Sequence, residues 1–406
     1  MAEIKDYQTI VGKENIDQLF RLARRLGKRK VIHVSSTRTG GGVAEMLNSL
    51  VPLMNELGIE TKWEVITGDT GFFEVTKAFH NALQGNRVNI SERMLENYLE
   101  NNEKNASILD LEADIVIVHD PQPASLIRSG KGRAKWIWRC HIDVSRPERR
   151  VWKFLKGFVS KYDASIFSMS KFAHNLPHPQ YIIFPSIDPL SQKNRELSQK
   201  ETDEIKRDFG INNLKPTILQ ISRFDRFKDP LGVMEAYRLV KRNTDCKLIL
   251  AGGGAADDPE GFEVLTQVKE QKKGDPDIHL LFLPPTANRE INALQRDADI
   301  VLQKSLKEGF GLTVTEAMWK KKPVIGGAVG GIVEQIFNYQ TGFLVHSVEG
   351  AAYRIRYLLH HSNMARKMAE NAKEYVRRRF LVTRHLRDYL SLFIALDHPQ
   401  DDYISI

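Results

Sequence analysis

The sequence predicts an α/β protein built from two doubly wound domains. Three observations carry that expectation: two successive series of six short apolar runs, amphipathic segments filling the gaps between runs, and a polar, turn-rich stretch separating the series. In the first series KVIHVSS (30–36), TKWEVIT (61–67), ADIVIVHD (113–120), KWIWRCHI (135–142), ASIFSMS (164–170) and YIIFPS (181–186) read as strands. Their nearly continuous apolar character suits a parallel sheet covered on both faces, where alternate residues have no solvent side. Helical periodicity occupies the intervals, as in VAEMLNSLVPLMNELG (43–58) and RRVWKFLKGFVSKY (149–162). The second series is TILQISR (217–223), CKLILAGGG (246–254), HLLFLPP (279–285), DIVLQKS (299–305), PVIGG (323–327) and GFLVH (342–346). Between them SIDPLSQKNRELSQKETDE (186–204) reads as a linker, which sets the expected domains at 1–187 and 188–379. Folds of this kind bind ligands beyond the carboxyl ends of their strands, so a two-domain version is expected to hold its ligand in an interdomain cleft.

Bulk properties exclude several classes. At 406 residues the chain exceeds what one core supports, and 42% hydrophobic with 27% charged residues is an ordinary globular composition. Cys140 and Cys246 lie far apart in apolar runs, which supports neither a disulfide framework nor a zinc site. The N-terminus lacks the basic-then-apolar order of a secretory leader, and no apolar run reaches the ~18 residues of a membrane span, so the expectation is a cytoplasmic protein with no membrane partner. A net charge of +8 is concentrated in RRLGKRK (24–30), WKKKP (319–323) and YVRRRF (375–380). Glu370 and Glu374 break up the region leading into the last of these, and solvated helix faces account for such clusters more simply than a nucleic-acid surface.

Chemistry-bearing residues gather after the strand candidates. STRTGGGVAEML places Gly40, Gly41 and Gly42 immediately before a helix, where backbone N–H groups can approach an anion. The pattern is neither GxGxxG nor a Walker loop, and a tight turn without ligand explains the glycines equally well. TILQIS runs into RFDRFKD, so Arg223 and Lys228 stand five positions apart past a strand end, suited to gripping a diphosphate or else to pairing with Asp225 and Asp229. His141 follows another strand in CHIDVSRPE, and HDPQP (119–123) closes a third, with His119 and Asp120 as acceptor-side candidates. In EGFGLTVTEAMWKKKPVIG (308–326), Glu308 and Glu316 flank a glycine-containing turn that becomes helical. If the chain reverses at Gly309 and Gly311, both carboxylates and the helix's unbonded N–H groups face one ligand.

The conjunction and order of these pieces resemble the GT-B glycosyltransferases, specifically the retaining nucleotide-sugar transferases of family four, over nearly the whole chain. Beyond the motifs above, SMSKF (168–172), FPSID (184–188) and LILAGGG (248–254) belong to the resemblance. It implies that Glu316 binds ribose hydroxyls, that Glu308 binds the donor sugar, and that the amides near Gly311, Leu312 and Thr313 meet a diphosphate held also by Arg223 and Lys228. It further implies that Gly41 and Gly42 approach that diphosphate from the other domain, that His141 contacts the sugar near the reacting carbon, and that the 380–406 segment packs back onto the N-terminal domain. LVTRH follows YVRRRF where the family often has tryptophan soon after the phenylalanine. The implied activity is transfer of glucose, with retained configuration, from a nucleoside diphosphate glucose to free glucose, forming trehalose reversibly. No tightly bound cofactor is implied, the metal requirement is open, the partners are sugar and sugar-nucleotide substrates, and a homodimer is suggested.

Acceptor choice is set by N-terminal loops including 71–107, and a phosphorylated acceptor or a growing glucan remain alternatives to free glucose. The missing second cationic cluster beside HDPQP favours a free sugar. The doubly wound domains also raise an NAD-dependent oxidoreductase, which the glycine spacing disfavours, and the charge raises a basic binding protein.

Overall fold

A computed structural model of the chain describes residues 2–130, 132–212, 214–253 and 259–398. The chain divides into two compact units, one formed by the residues up to Ser186 with the chain from Val382 onward, the other by Ile187–Leu381. Each unit is built on a six-stranded sheet in which every strand pair is parallel.

The N-terminal unit has strand order β2-β1-β3-β4-β5-β6, with β1 Lys30–Ser35, β2 Glu60–Val65, β3 Ile115–His119, β4 Lys135–Arg139, β5 Ala164–Phe167 and β6 Gln180–Ile182. All five residues of β3 are buried, as a central strand covered on both faces requires. The Thr70–Leu83 helix starts where the Asp69 carboxylate accepts the Phe72 N–H at 2.7 Å, satisfying an otherwise unbonded donor of the first turn. The Val382–Asp397 helix packs chiefly against the Lys13–Leu26 helix and also against Gly41–Glu56. Leu386, Leu390 and Phe393 are fully buried there, each contributing about 1.5–3 kcal/mol. This helix is therefore part of the unit's core rather than an appendage.

The second unit has strand order β12-β11-β10-β7-β8-β9, with β7 Thr217–Ile221, β8 Lys247–Gly252, β9 Ile278–Phe282, β10 Ile300–Gln303, β11 Val324–Gly327 and β12 Phe343–Val345. Its core gathers Ile218, Val233, Leu248, Leu250, Ile300, Leu302, Ile325 and Phe343.

All twelve expected strands form, most of them ending two or more residues before the apolar run does. Cys140, Ile142, Ser168, Met169, Lys304 and Ser305 are buried but lie past the ladder, because beyond the sheet edge the backbone turns toward the loops. The segment expected as linker is only partly one. A capping box, in which Ser198 and Glu201 bond each other's backbone N–H, starts a helix at Gln199–Asp208. Gly254, at the end of one expected strand, and residues 399–406 of the expected terminal helix lie outside the described residues.

Candidate active site

In the second unit the two motifs that flank β7 and β10 meet. After β7 the chain makes a short 3-10 turn, Arg226–Lys228, whose first N–H groups are capped by Asp225: its carboxylate accepts the Lys228 N–H at 3.1 Å. After β10 the loop 306–311 leads into the Leu312–Trp319 helix. Lys228 Nζ lies 2.6 Å from Glu308 Oε2, and the Ser305 hydroxyl donates to the same oxygen at 3.1 Å. The two residues named from separate stretches of sequence thus form one charge-assisted pair.

The loop that carries Glu308 is held by close packing. Gly311 precedes the helix in the left-handed region, φ +87, and a Cβ there would press on Glu308 Cγ at 3.2 Å and Ile332 at 3.3 Å. From beneath, Gly330 approaches so closely that a Cβ would fall 1.6 Å from the Glu308 carbonyl oxygen. Buried Gln335 donates to the carbonyls of Phe310 and Gly311 and accepts from the Thr315 hydroxyl at 2.6 Å. Gly311, Leu312 and Thr313 remain partly exposed, so the amide end of the helix stands open beside the Lys228–Glu308 pair. Such an end carries partial positive charge and N–H donors without intrahelical partners.

Arg223 is mostly exposed and pairs with Asp225 at 3.1 Å, as one alternative for this motif expects, while Lys228 turns to Glu308. Asp229 does not pair with Lys228. It caps the Pro230–Lys241 helix and pairs with Lys304.

Glu316 departs from expectation. Its side chain has no exposed surface; Lys193 Nζ lies 2.8 Å from Oε1 and Gln295 donates to Oε2 at 3.2 Å. Burial pushes its pKa up, but the ammoniums of Lys193 and Lys320 outweigh that and hold it below the usual carboxylate range. The carboxylate is thus enclosed in this structure, with Lys193 standing on Oε1. Lys193 comes from the stretch read as linker, and only the tertiary fold brings it here.

In the N-terminal unit, Gly41 and Gly42 are exposed at the start of the Gly41–Glu56 helix, with Gly40 and Gly41 at φ +76 and +81. His141 is partly exposed, and its backbone N–H donates to Asp120 Oδ1 at 2.7 Å. Asp120 sits in the left-handed region, φ +65, and burial pushes its carboxyl up to about 7 against the opposing pull of the His141 N–H and the Arg139 guanidinium. His119 is corrected: it is buried, and both ring nitrogens are within hydrogen-bond distance of other histidines, so its side chain does not line an acceptor site. Continuous apolar neighbours in the run IVIVH are the signal that marks it as interior.

Ser305, Gln335 and Gly330 support Glu308 without having been singled out in the sequence; the glycine pair in GGAVGGIVEQ is the one trace they leave there. Among the described residues no group of three or more His, Cys, Asp or Glu is placed to hold a metal ion, and no helix is long and apolar enough to cross a membrane.

Residues 201–375 match the family described as glycosyl transferases group 1, and residues 33–174 match the one described as trehalose synthase, N-terminal domain. Among solved structures, sucrose-phosphate synthase from Thermosynechococcus elongatus superposes with a TM-score of 0.70 at 16% identity, covering 92% of this chain and 100% of that one. The α,α-trehalose 6-phosphate synthase from Burkholderia multivorans gives 0.73 at 13% identity, with 92% and 100% covered. At such identity the likeness is one of fold, and with the family match it defines a glycosyltransferase of the GT-B class. The chain is 47% identical over 400 residues to trehalose synthase of Pyrococcus horikoshii, covering 97% of this chain and 96% of that one. It is 43% identical over 406 residues to trehalose synthase of Rubrobacter xylanophilus, covering 97% of each. The chain belongs to the trehalose synthase family of group 1 glycosyltransferases. That membership disfavours the oxidoreductase alternative.

Proposed function

We propose that the chain transfers glucose from a nucleoside diphosphate glucose to free glucose, with retained configuration, and that the product is α,α-1,1-linked trehalose, formed reversibly. The observation that carries this reading is the Lys228–Glu308 pair set beside the open amide end of the Leu312–Trp319 helix. A cation, a hydroxyl-binding carboxylate and unbonded N–H groups at one point are the groups that a sugar diphosphate needs. The whole-length likeness to trehalose synthases supports the choice of product.

In this reading the diphosphate lies against the amides of Gly311, Leu312 and Thr313. The Lys228 ammonium keeps one of its three donors on Glu308 and gives another to a phosphate oxygen. Arg223, exposed beside Asp225, adds a second cation. As the bond from the sugar C1 to the phosphate oxygen loosens, negative charge grows on the leaving diphosphate, where these groups are already oriented. The acceptor hydroxyl attacks C1 from the face the phosphate leaves, and a phosphate oxygen takes the hydroxyl proton. Glu308 orients the donor sugar through its hydroxyls and is not assigned the role of base. The glycosidase rule relating carboxylate separation to stereochemistry therefore does not apply. The roles of Gly41, Gly42 and His141 and ribose recognition by Glu316 belong to the same proposal, the last requiring Lys193 to move. So do a cytoplasmic setting and a homodimeric state.

The test offers UDP-, ADP- and GDP-glucose with free glucose, glucose 6-phosphate, fructose 6-phosphate and a short glucan, and identifies linkage and anomeric configuration by NMR. An α,α-1,1 disaccharide from free glucose is expected. A phosphorylated or polymeric product would replace the acceptor, and an inverted anomeric centre would overturn the mechanism.

A further inference from the structure

The N-terminal unit contains a line of three histidines, of which the proposed chemistry uses only the outermost. His33 on β1, His119 ending β3 and His141 just past β4 stand on adjacent strands of the sheet. His33 Nδ1 lies 2.9 Å from His119 Nε2, and His119 Nδ1 lies 2.9 Å from His141 Nε2. Successive ring planes are 26° and 15° apart with centroids 5.2 and 5.3 Å apart, so the rings meet edge to edge through these nitrogens. The inner two are buried and the outer one is partly exposed.

Burial favours the neutral form of all three rings. Burial pushes His33 down to about 3 and holds His119 and His141 well below the ordinary histidine range. The enclosed Arg139 guanidinium, which donates to the carbonyls of Phe167 and Ile183, opposes a second positive charge beside it. A neutral imidazole carries one N–H, so two hydrogen bonds in series lock the three tautomers together. Either every ring donates outward, toward His141, or every ring donates inward, toward His33. The inward arrangement places an N–H on His33 Nε2, which is buried with no hydrogen-bond partner among the described residues. Tyr389 meets the His33 ring edge to face at 6.0 Å, which offers a weak acceptor at best. A bare buried nitrogen is the cheaper orphan than a buried N–H, so the outward arrangement is favoured.

We propose that His119, itself locked by His33, is a positioning residue that holds His141 as the Nδ1–H tautomer, presenting that N–H to a hydroxyl oxygen of the bound sugar. The proposal rests on the reading that His141 faces the donor sugar. His141 Nδ1 has no protein partner among the described residues, and the backbone tie to Asp120 leaves the ring edge to be set by His119. A histidine left to water favours the other tautomer, so the relay changes what the site offers: a donor where an unpositioned ring would mostly present an acceptor.

The experiment is long-range 15N–1H NMR on the full chain labelled at histidine, with resonances assigned by single substitutions, read beside steady-state kinetics. Wild type is expected to show His141 protonated at Nδ1 and bare at Nε2. His119→Leu frees His141 Nε2, shifts the tautomer toward Nε2–H and lowers kcat about tenfold, the worth of one neutral hydrogen bond, with the donor KM little changed. His119→Asn, whose amide N–H can take the place of Nδ1–H, returns both the tautomer and kcat to within about threefold of wild type. An Nε2–H His141 in wild type overturns the relay even if glycosyl transfer stands, and this result does not depend on any variant folding. A fully active His141→Ala would remove the sugar contact while leaving the measured tautomer to judge the relay on its own.

Discussion

Replacing Lys228 by alanine separates its proposed catalytic role from its structural one, and the two differ in size. The Lys228 side chain is 18% exposed and its partner Glu308 9%, and Glu308 keeps the Ser305 hydroxyl when the ammonium is gone. Breaking a fully enclosed pair costs about 3–5 kcal/mol, but a pair at a rim that water can re-enter should cost about 1–2 kcal/mol. In a unit of this length each kcal/mol moves Tm by roughly 2–4 °C, so the variant should melt about 2–8 °C lower and stay folded at 25 °C. Loss of one preorganised cation from the leaving diphosphate, by contrast, should lower kcat about 10²–10³-fold. Initial rates with the nucleoside diphosphate glucose and glucose, beside a circular-dichroism melt, measure both. Combining the change with Glu308→Ala should give a loss smaller than the sum of the two, because the pair acts at one point. A folded Lys228→Ala protein turning over within about threefold of wild type would refute the reasoning.

Glu316→Gln keeps the volume of the buried side chain but removes the charge that Lys193 and Lys320 surround; calorimetry with UDP and ADP should show affinity lower by about tenfold, and unchanged affinity would end the ribose assignment. Gly330→Ala places a methyl 1.6 Å from the Glu308 carbonyl at φ +47, so the loop must shift; urea unfolding should register about 2–4 kcal/mol lost, with donor binding lost alongside. Asp120 has a folded pKa near 7, above its unfolded value, so its contribution to stability is present below about pH 4 and is lost as pH rises through 7. Asp120→Asn keeps an acceptor for the His141 N–H and tolerates φ +65, so its stability relative to wild type should improve from pH 4 to pH 8 by at most about 4 kcal/mol, less for its partial exposure. Denaturant midpoints at pH 5 and pH 8 check the sign.

The strands were legible because parallel strands covered on both faces must be apolar along their whole length, and a run such as ILQI or IVIVH has few other uses. Their ends were less so: Cys140, Ile142, Ser168 and Met169 are as buried as the strands they follow, and burial cannot be told from pairing in a string of residues. Arg223, Lys228, Glu308 and the Gly311–Thr313 turn were singled out because each follows a strand, where α/β folds place ligands. His119 misled for the converse reason: it ends a strand, yet its ring turns into the interior.

Sequence alone determined that two parallel α/β sheets form and which strand ends carry cations, acids and glycines, since both follow from local periodicity and order along the chain. Tertiary structure alone decided that Lys228 meets Glu308 across 80 residues of sequence, that Lys193 encloses Glu316, and that three histidines from three strands share hydrogen bonds. The physical reason is range: backbone pattern is set by neighbours a few positions away, whereas an ion pair or a tautomer depends on which distant side chains the sheet order brings within about 3 Å.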